Sequence, residues 1–258
     1  MTMARALFTR LTTGDSRLTA ALDALLAVAL SPSCAACDEP LEQPTTGPVC
    51  ARCWQSILPL TPPICDRCGD PLPAWRSISV PLARCARCRR SRRLVDRARA
   101  IGAYDGALRA IVHAFKYDGR RSLATPLAEL MRARGADMLG GAACVIPVPL
   151  HPSRRRQRGF NQAADLAARL PLPRVAALAR VRATPTQTGL PAARRHANVR
   201  DAFQVTRAGA RLSGSIVVLV DDVSTTGATL EACARALKRA GVREVRALTA
   251  ARVVTPPR

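Results

Sequence analysis

"VVLVDDVSTTGAT", Val217 to Thr229, decides how this chain is read. It opens on four apolar residues in a row, as in a strand of a parallel sheet covered on both faces. Two aspartates follow, then a run of Ser, Thr and Gly. Next comes "ATLEACARALKRAG", Ala228 to Gly241, a helical pattern stopped by its glycine. Strand, loop and helix in that order place Asp221 to Gly227 at the carboxyl edge of a parallel sheet, where such folds bind ligands. The coming helix offers unpaired backbone N–H groups and the positive end of its dipole. Ser224, Thr225, Thr226 and Thr229 add hydroxyl donors, and Gly227 lets the backbone come close. The result is a cradle for one phosphate. It is not a Walker A loop, because no Lys follows the glycine, and GxGxxG is absent.

Two carboxylates beside a phosphate cradle need a ligand of a particular shape. Vicinal hydroxyls a few ångströms from the phosphate would each donate to Asp221 and Asp222, and a ribose 5-phosphate has that shape. The plain alternative is a helix start capped by acidic and Thr residues. Two adjacent acids after a buried strand, followed by TTGxT, favour the ligand.

The surrounding pattern supports the sheet. "CVIPVP" (Cys144 to Pro149) and "EVRALTAARV" (Glu244 to Val253) read as strands. "ALRAIVHAFKY" (Ala107 to Tyr117), "SLATPLAELMRARG" (Ser122 to Gly135) and "NQAADLAARL" (Asn161 to Leu170) read as helices. Alternating strands and helices with short connections predict a parallel α/β domain. "PVPL" ends a strand, so Arg154, Arg155, Arg156 and Arg158 should stand near the same edge. Gly159 allows a sharp turn there, and Asn161 and Gln162 could donate to a ligand. The polar stretch from Thr184 to Phe203 is long and poor in strand signal, as lids are.

The first part of the chain has different chemistry. Eight of the ten cysteines form four CxxC pairs, Cys34/Cys37, Cys50/Cys53, Cys65/Cys68 and Cys85/Cys88, while Cys144 and Cys233 stand apart. Two residues between cysteines let both sulfurs reach one metal, so two turns complete a four-thiolate zinc site. Eight ligands allow two structural zincs with no open position for catalysis. Sequential and interleaved pairings both fit the spacing. Composition shifts near Arg93, which divides the chain into 1–32, an amphipathic helix; 33–93, a cysteine-rich module; and 94–258, the α/β domain.

The chain of 258 residues is 48 % apolar and 3 % aromatic, with a formal net charge of +22. Each zinc held by four thiolates carries −2, so two sites leave +18. Such a balance points to an anionic partner. Arg84 to Arg99 holds eight arginines against Asp96 alone. Trp54, Trp75 and Phe160 are the candidate stacking platforms for single-stranded DNA. "SRLTAALDALLAVAL", Ser16 to Leu30, is too short to span a bilayer and carries Asp23, so membrane insertion is not expected. Paired CxxC motifs without a convincing secretory signal suit a cytoplasmic chain.

The Val217–Thr229 stretch resembles the 5-phosphoribosyl 1-pyrophosphate (PRPP) loop of type I phosphoribosyltransferases. Nearly the whole chain resembles the ComF family of competence proteins, which join a double zinc ribbon to a phosphoribosyltransferase-like domain. The match includes "FKYDGR" (Phe115 to Arg120), "IPVPLHPSRRRQRGFNQA" (Ile146 to Ala163) and "TPTQTGLPAARRHANVRDAF" (Thr184 to Phe203). The resemblance implies that Asp221 and Asp222 hold the ribose hydroxyls. It gives the 5-phosphate to Ser224, Thr225, Thr226, Gly227, Ala228 and Thr229. It makes Gln187, Arg194, Arg195 and Asn198 lid residues. It also implies a part in natural transformation, with competence-machinery proteins as partners. The alternative it carries is an active transferase, in which Mg²⁺ and arginines stabilise leaving pyrophosphate. Of the three histidines, His151 is the best placed for such chemistry. Nothing resembles the glutaminase domain of the glutamine amidophosphoribosyltransferases.

Overall fold

A computed structural model of the chain describes residues 16–73, 84–91, 93–182 and 201–254. They form two compact units: the chain up to Leu58 with Asp105–Leu123, and Pro59–Tyr104 with the chain from Ala124 onward. The strands are β1 (Arg97–Ala103), β2 (Cys144–Pro147), β3 (Leu178–Arg180), β4 (Phe203–Val205), β5 (Ile216–Ser224) and β6 (Glu244–Arg252). The helices are α1 (Ser16–Leu30), α2 (Ala51–Gln55), α3 (Ala86–Arg90), α4 (Gly106–Tyr117), α5 (Ala124–Arg134), α6 (Ala136–Leu139), α7 (Pro152–Arg158), α8 (Gln162–Ala167), α9 (Arg207–Ala210) and α10 (Ala228–Arg239).

The larger unit is built on a four-stranded sheet in the order β1-β6-β5-β2, with every neighbouring pair parallel. Val217, Val218, Leu219 and Val220 are all fully buried, so both faces of β5 are covered, as its unbroken apolar run requires. On one face Val217, Leu219, Val245 and Ala247 pack in one cluster with Leu230, Cys233, Ala234 and Leu237 of α10. Those four helix positions follow the i, i+3, i+4, i+7 spacing of an apolar stripe. On the other face α5 ends at Gly135, where a β-carbon would collide with Leu248 of β6. That close approach, as much as helix termination, explains the glycine.

Because all four strands run the same way, the ends of β2 and β5 open on one edge. The strand expected to stop at Val220 continues to Ser224, with Asp221 opposite Thr249 and Ser224 opposite Arg252. Polar side chains do not prevent this, since the ladder is made by backbone groups. β1 was not legible as a strand: it carries Arg97 and Arg99, and its buried residues Ala98, Ile101 and Gly102 do not alternate. β3 and β4 pair antiparallel and flank the undescribed residues 183–200.

In the smaller unit α2 packs beside α4. Helix α4 starts on Asp105, whose carboxylate accepts from Gly106 N at 2.8 Å. Its stripe of Leu108, Ile111, Val112 and Phe115 is buried. Helix α1 is tied by Asp23, whose Oδ1 accepts from the backbone N–H and hydroxyl of Thr45 at 2.8 and 2.7 Å. Its apolar side, Leu18, Leu22, Leu25 and Val28, is exposed. No helix among the described residues is long and apolar enough to cross a membrane.

Candidate functional site

The DD–TTG segment is part strand and part loop. Asp221 is half-buried and Asp222 buried, and Asp222 N donates to Asp221 Oδ1 at 2.9 Å. Thr225, Thr226 and Gly227 form the turn and keep partial access to solvent. Gly227 has φ +78°, and nothing lies within 4 Å of where its β-carbon would be. The backbone there has the left-handed form that favours glycine, and the space a side chain would take is open. No side chain caps α10 from Gly227; Thr226 Oγ accepts from Ala228 N at 3.3 Å. The first turn of α10 therefore faces this opening with its N–H groups, the arrangement that binds phosphate.

The second loop is anchored beside the first. Val148 N donates to Val220 O at 2.9 Å, which sets the end of β2 against the residue before Asp221. Asn161 Nδ2 donates to Val148 O at 3.1 Å, while its Oδ1 accepts from Ala163 N at 3.1 Å. Asn161 is thus a cap and a tie for the loop. Gln162 is buried, and its Oε1 accepts from Arg158 Nη1 at 3.3 Å. Arg155 and Arg156 are exposed, while Arg154 and Arg158 are half-buried. The Nδ1 of His151 accepts from Ser153 N at 3.3 Å and lies 2.7 Å from Ser153 Oγ, so that nitrogen caps α7.

Gln187, Arg194, Arg195 and Asn198 lie outside the described residues. The base of that segment supplies a residue the sequence did not single out. Arg180, on β3, has its guanidinium 5.4 Å from the centre of the Phe203 ring on β4. Its pKa is lowered, first by burial and then by the charge of Arg154, against the pull of Cys233 and Asp221. Arg180 therefore feels the charges of both Arg154 and Asp221. Burial pushes the Cys233 thiol well up, and Asp221 adds to it. Cys233 is a core residue under β5, and Cys144 is raised by burial in the same way.

The eight paired cysteines gather into two clusters, Cys34, Cys37, Cys50, Cys53 and Cys65, Cys68, Cys85, Cys88, with the sulfurs of each within 4.8 Å of one another. The pairing is thus sequential. Zinc with sulfur ligands at about 2.3 Å gives a tetrahedron with edges of about 3.8 Å. The Cys37–Cys50 and Cys68–Cys85 sulfur distances are 3.9 and 3.6 Å, which suit that edge and exclude disulfides. Cys34 Sγ accepts from the backbone N–H groups of Ala36 and Cys50 at 3.4 and 3.3 Å. Burial raises its pKa, yet these backbone donors bring it down to about 6, toward the thiolate that a metal needs. The donor sets fit two structural zincs.

The basic stretch is less free than its sequence suggests. Arg87 pairs with Asp70, Arg97 with Asp137, and Arg93 lies against Glu231 with a side chain only 10 % exposed. Arg89 and Arg90 of α3 are exposed, and Arg92 lies outside the described residues. Trp54 and Phe160 are buried, so neither is a stacking platform; Trp75 is not among the described residues.

Residues 156–255 match the phosphoribosyl transferase domain, and residues 25–89 match the double zinc ribbon domain. DNA utilization protein YhgH of Salmonella typhi is 34 % identical over 209 residues, 76 % of this chain and 86 % of its own. Competence protein F of Haemophilus influenzae is 32 % identical over 171 residues, 62 % of this chain and 75 % of its own. The chain belongs to the ComF family. YhgH of Escherichia coli K12, at 34 % identity over 62 % of this chain and 74 % of its own, agrees with that placement. A solved structure described as the allosteric regulatory enzyme of purine biosynthesis aligns with 54 % of this chain and 30 % of its own, at a TM-score of 0.34 and 20 % identity. That likeness is too loose to carry an argument. The ComF assignment matches the sheet and the two four-cysteine clusters.

Proposed function

We propose that this ComF-family protein binds PRPP at the carboxyl edge of its sheet and binds single-stranded DNA in the cytoplasm during DNA uptake. The observation that carries the reading is Asp221 and Asp222 at the end of a strand that leads, through the Thr225–Gly227 turn, into a helix start at which Gly227 supplies no side-chain cap. The acids would take the 2′- and 3′-hydroxyls of the ribose. The Ser224–Thr229 turn, Ala228 included, would take the 5-phosphate. The pyrophosphate would lie toward Arg158 and the β3 arginine, Arg180, with Gln162 steadying Arg158. Mg²⁺ bound with PRPP would neutralise pyrophosphate charge. The relatives named for competence and DNA utilization support the DNA setting. The exposed Arg89 and Arg90 and the positive balance of the chain support contact with phosphates.

The Nδ1 of His151 is engaged in capping α7, which leaves Nε2 as its ring nitrogen for any chemistry on a ligand. The test is pyrophosphate release from PRPP by purified, zinc-loaded protein, with and without purine bases, pyrimidine bases and ammonia. The expected result is PRPP binding with release at the spontaneous rate. Acceptor-dependent release would make the protein a phosphoribosyltransferase.

A further inference from the structure

We propose that the second four-cysteine site is the support on which the phosphate loop stands, with Asp70 and Arg252 as its positioning residues. The proposal builds on the PRPP reading above and assigns that reading two residues outside the loop. Behind Ser224, Thr226 and Gly227 lies a cavity of about 30 Å³, walled by Arg67, Arg87, Arg93, Arg252 and Glu231. The wall is fastened to the loop at two points.

The first fastening runs through Arg252. This residue ends β6 and is in register with Ser224 on β5. Its side chain is 5 % exposed, and its Nε donates to Asp70 Oδ1 at 2.5 Å. The other carboxylate oxygen of Asp70 accepts from Arg87 Nη2 at 2.7 Å. Asp70 belongs to the cysteine turn itself, since its carbonyl accepts from Cys65 N at 2.7 Å, and Arg87 stands between Cys85 and Cys88. Both halves of the metal site therefore converge on one carboxylate.

The second fastening holds the first turn of α10. Glu231 Oε2 accepts from Leu94 N at 2.8 Å, and Arg93 Nη1 lies 3.7 Å from Oε1. Arg67, between Cys65 and Cys68, donates to the carbonyls of Arg93 and Val95 at 3.0 and 3.2 Å. Gly69 (φ +73°) lets this turn lie against β1, where a β-carbon would sit 2.8 Å from Ala98 O.

Charge ties the metal to the same structure. Arg67, Arg87, Arg93 and Arg252, with Lys238, which shares Asp96 with Arg67, make five cations against the three carboxylates of Asp70, Asp96 and Glu231. A zinc held by four thiolates adds two negative charges beside them, which balance that excess. The hydroxyl of Ser224 and the Nε atoms of Arg87 and Arg93 are buried without hydrogen-bond partners. The floor is thus held by its two fastenings rather than by a continuous polar network. What steadies the cysteine turn steadies the loop, and by linkage the reverse holds.

The experiment compares Asp70→Asn, Arg252→Met and Arg252→Lys with the parent protein. It reads zinc content, hydrogen exchange of the peptide covering Asp221 to Thr229, and PRPP affinity by calorimetry. Asp70→Asn and Arg252→Met should exchange the loop at least tenfold faster and bind PRPP five- to tenfold more weakly, and Arg252→Lys should recover most of both. Unchanged loop exchange in folded, two-zinc variants overturns the support, whether or not PRPP binds. Faster exchange, in a protein whose parent form does not bind PRPP, keeps the support and removes the ligand reading instead. A reciprocal measurement needs no variant. Once calorimetry shows PRPP bound to the parent protein, it should slow the loss of one of the two zincs to a chelator; unchanged loss of both overturns the coupling.

Discussion

Asp221, Asp222 and Gly227 carry the functional reading, and each can be tested alone. Gly227 is in a left-handed backbone form with open space beside it. Gly227→Val should cost about 1–2 kcal/mol of stability from the backbone alone. Its side chain would also enter the place assigned to the phosphate, so PRPP affinity should fall by more than the melting temperature suggests; calorimetry alongside thermal denaturation checks this. These residues were legible because a strand, a loop and a helix start are neighbours in sequence as well as in space. Arg180 was not, because its place depends on β3 pairing with β4 across an intervening segment. Asp70 and Arg252 were missed for the same reason, being 182 positions apart. Asn161 was read as a ligand donor from its position after Gly159; that its side chain also fixes the loop to β2 was not legible, because Val148 is thirteen positions away.

At the scale of elements, the CxxC spacing was informative because two sulfurs per turn is a local rule. Which turns share a metal is a long-range property, and the fold answers it as sequential pairing. Protein purified without chelator should carry two zincs per chain. Cys144→Ala and Cys233→Ala should retain both, since these thiols are core residues that belong to neither cluster. A single zinc in the parent protein, read by metal analysis, would contradict the two-site description. The tie between α1 and Thr45 is a second element-scale test. Asp23→Ala removes the acceptor of two hydrogen bonds and should cost about 1–3 kcal/mol locally. The readout is faster proteolysis within Ser16–Leu30. Ser16–Leu30 is helical, but its apolar pattern did not say which side turns inward: Asp23 is buried, while Leu18, Leu22, Leu25 and Leu30 are exposed.

At the scale of the whole molecule, charge and fold have to be read together. The balance of +22 is real, but much of the Arg84–Arg99 stretch is spent on internal pairs. Among the described residues of the stretch, Arg89 and Arg90 are exposed and open to a strand of DNA. Binding to single-stranded DNA should be sequence-tolerant and salt-sensitive, with log K falling by about 0.7 per phosphate contact against log salt. Replacing Arg89 and Arg90 by Ser should flatten that slope by about 1.4 and leave PRPP affinity unchanged. Including Arg93 would spoil the test, because it lies under the phosphate loop against Glu231. Anisotropy across a salt series distinguishes these outcomes. The most direct measurement for the whole account is a calorimetric titration of PRPP and Mg²⁺ into the parent protein and into the Asp221→Asn, Asp222→Asn double variant. Charged hydrogen bonds to a ligand are worth about 1.5–3 kcal/mol each, so the double variant should bind at least tenfold more weakly with its circular dichroism unchanged. Equal affinity in both proteins, or no binding to the parent, would contradict the phosphoribosyl site.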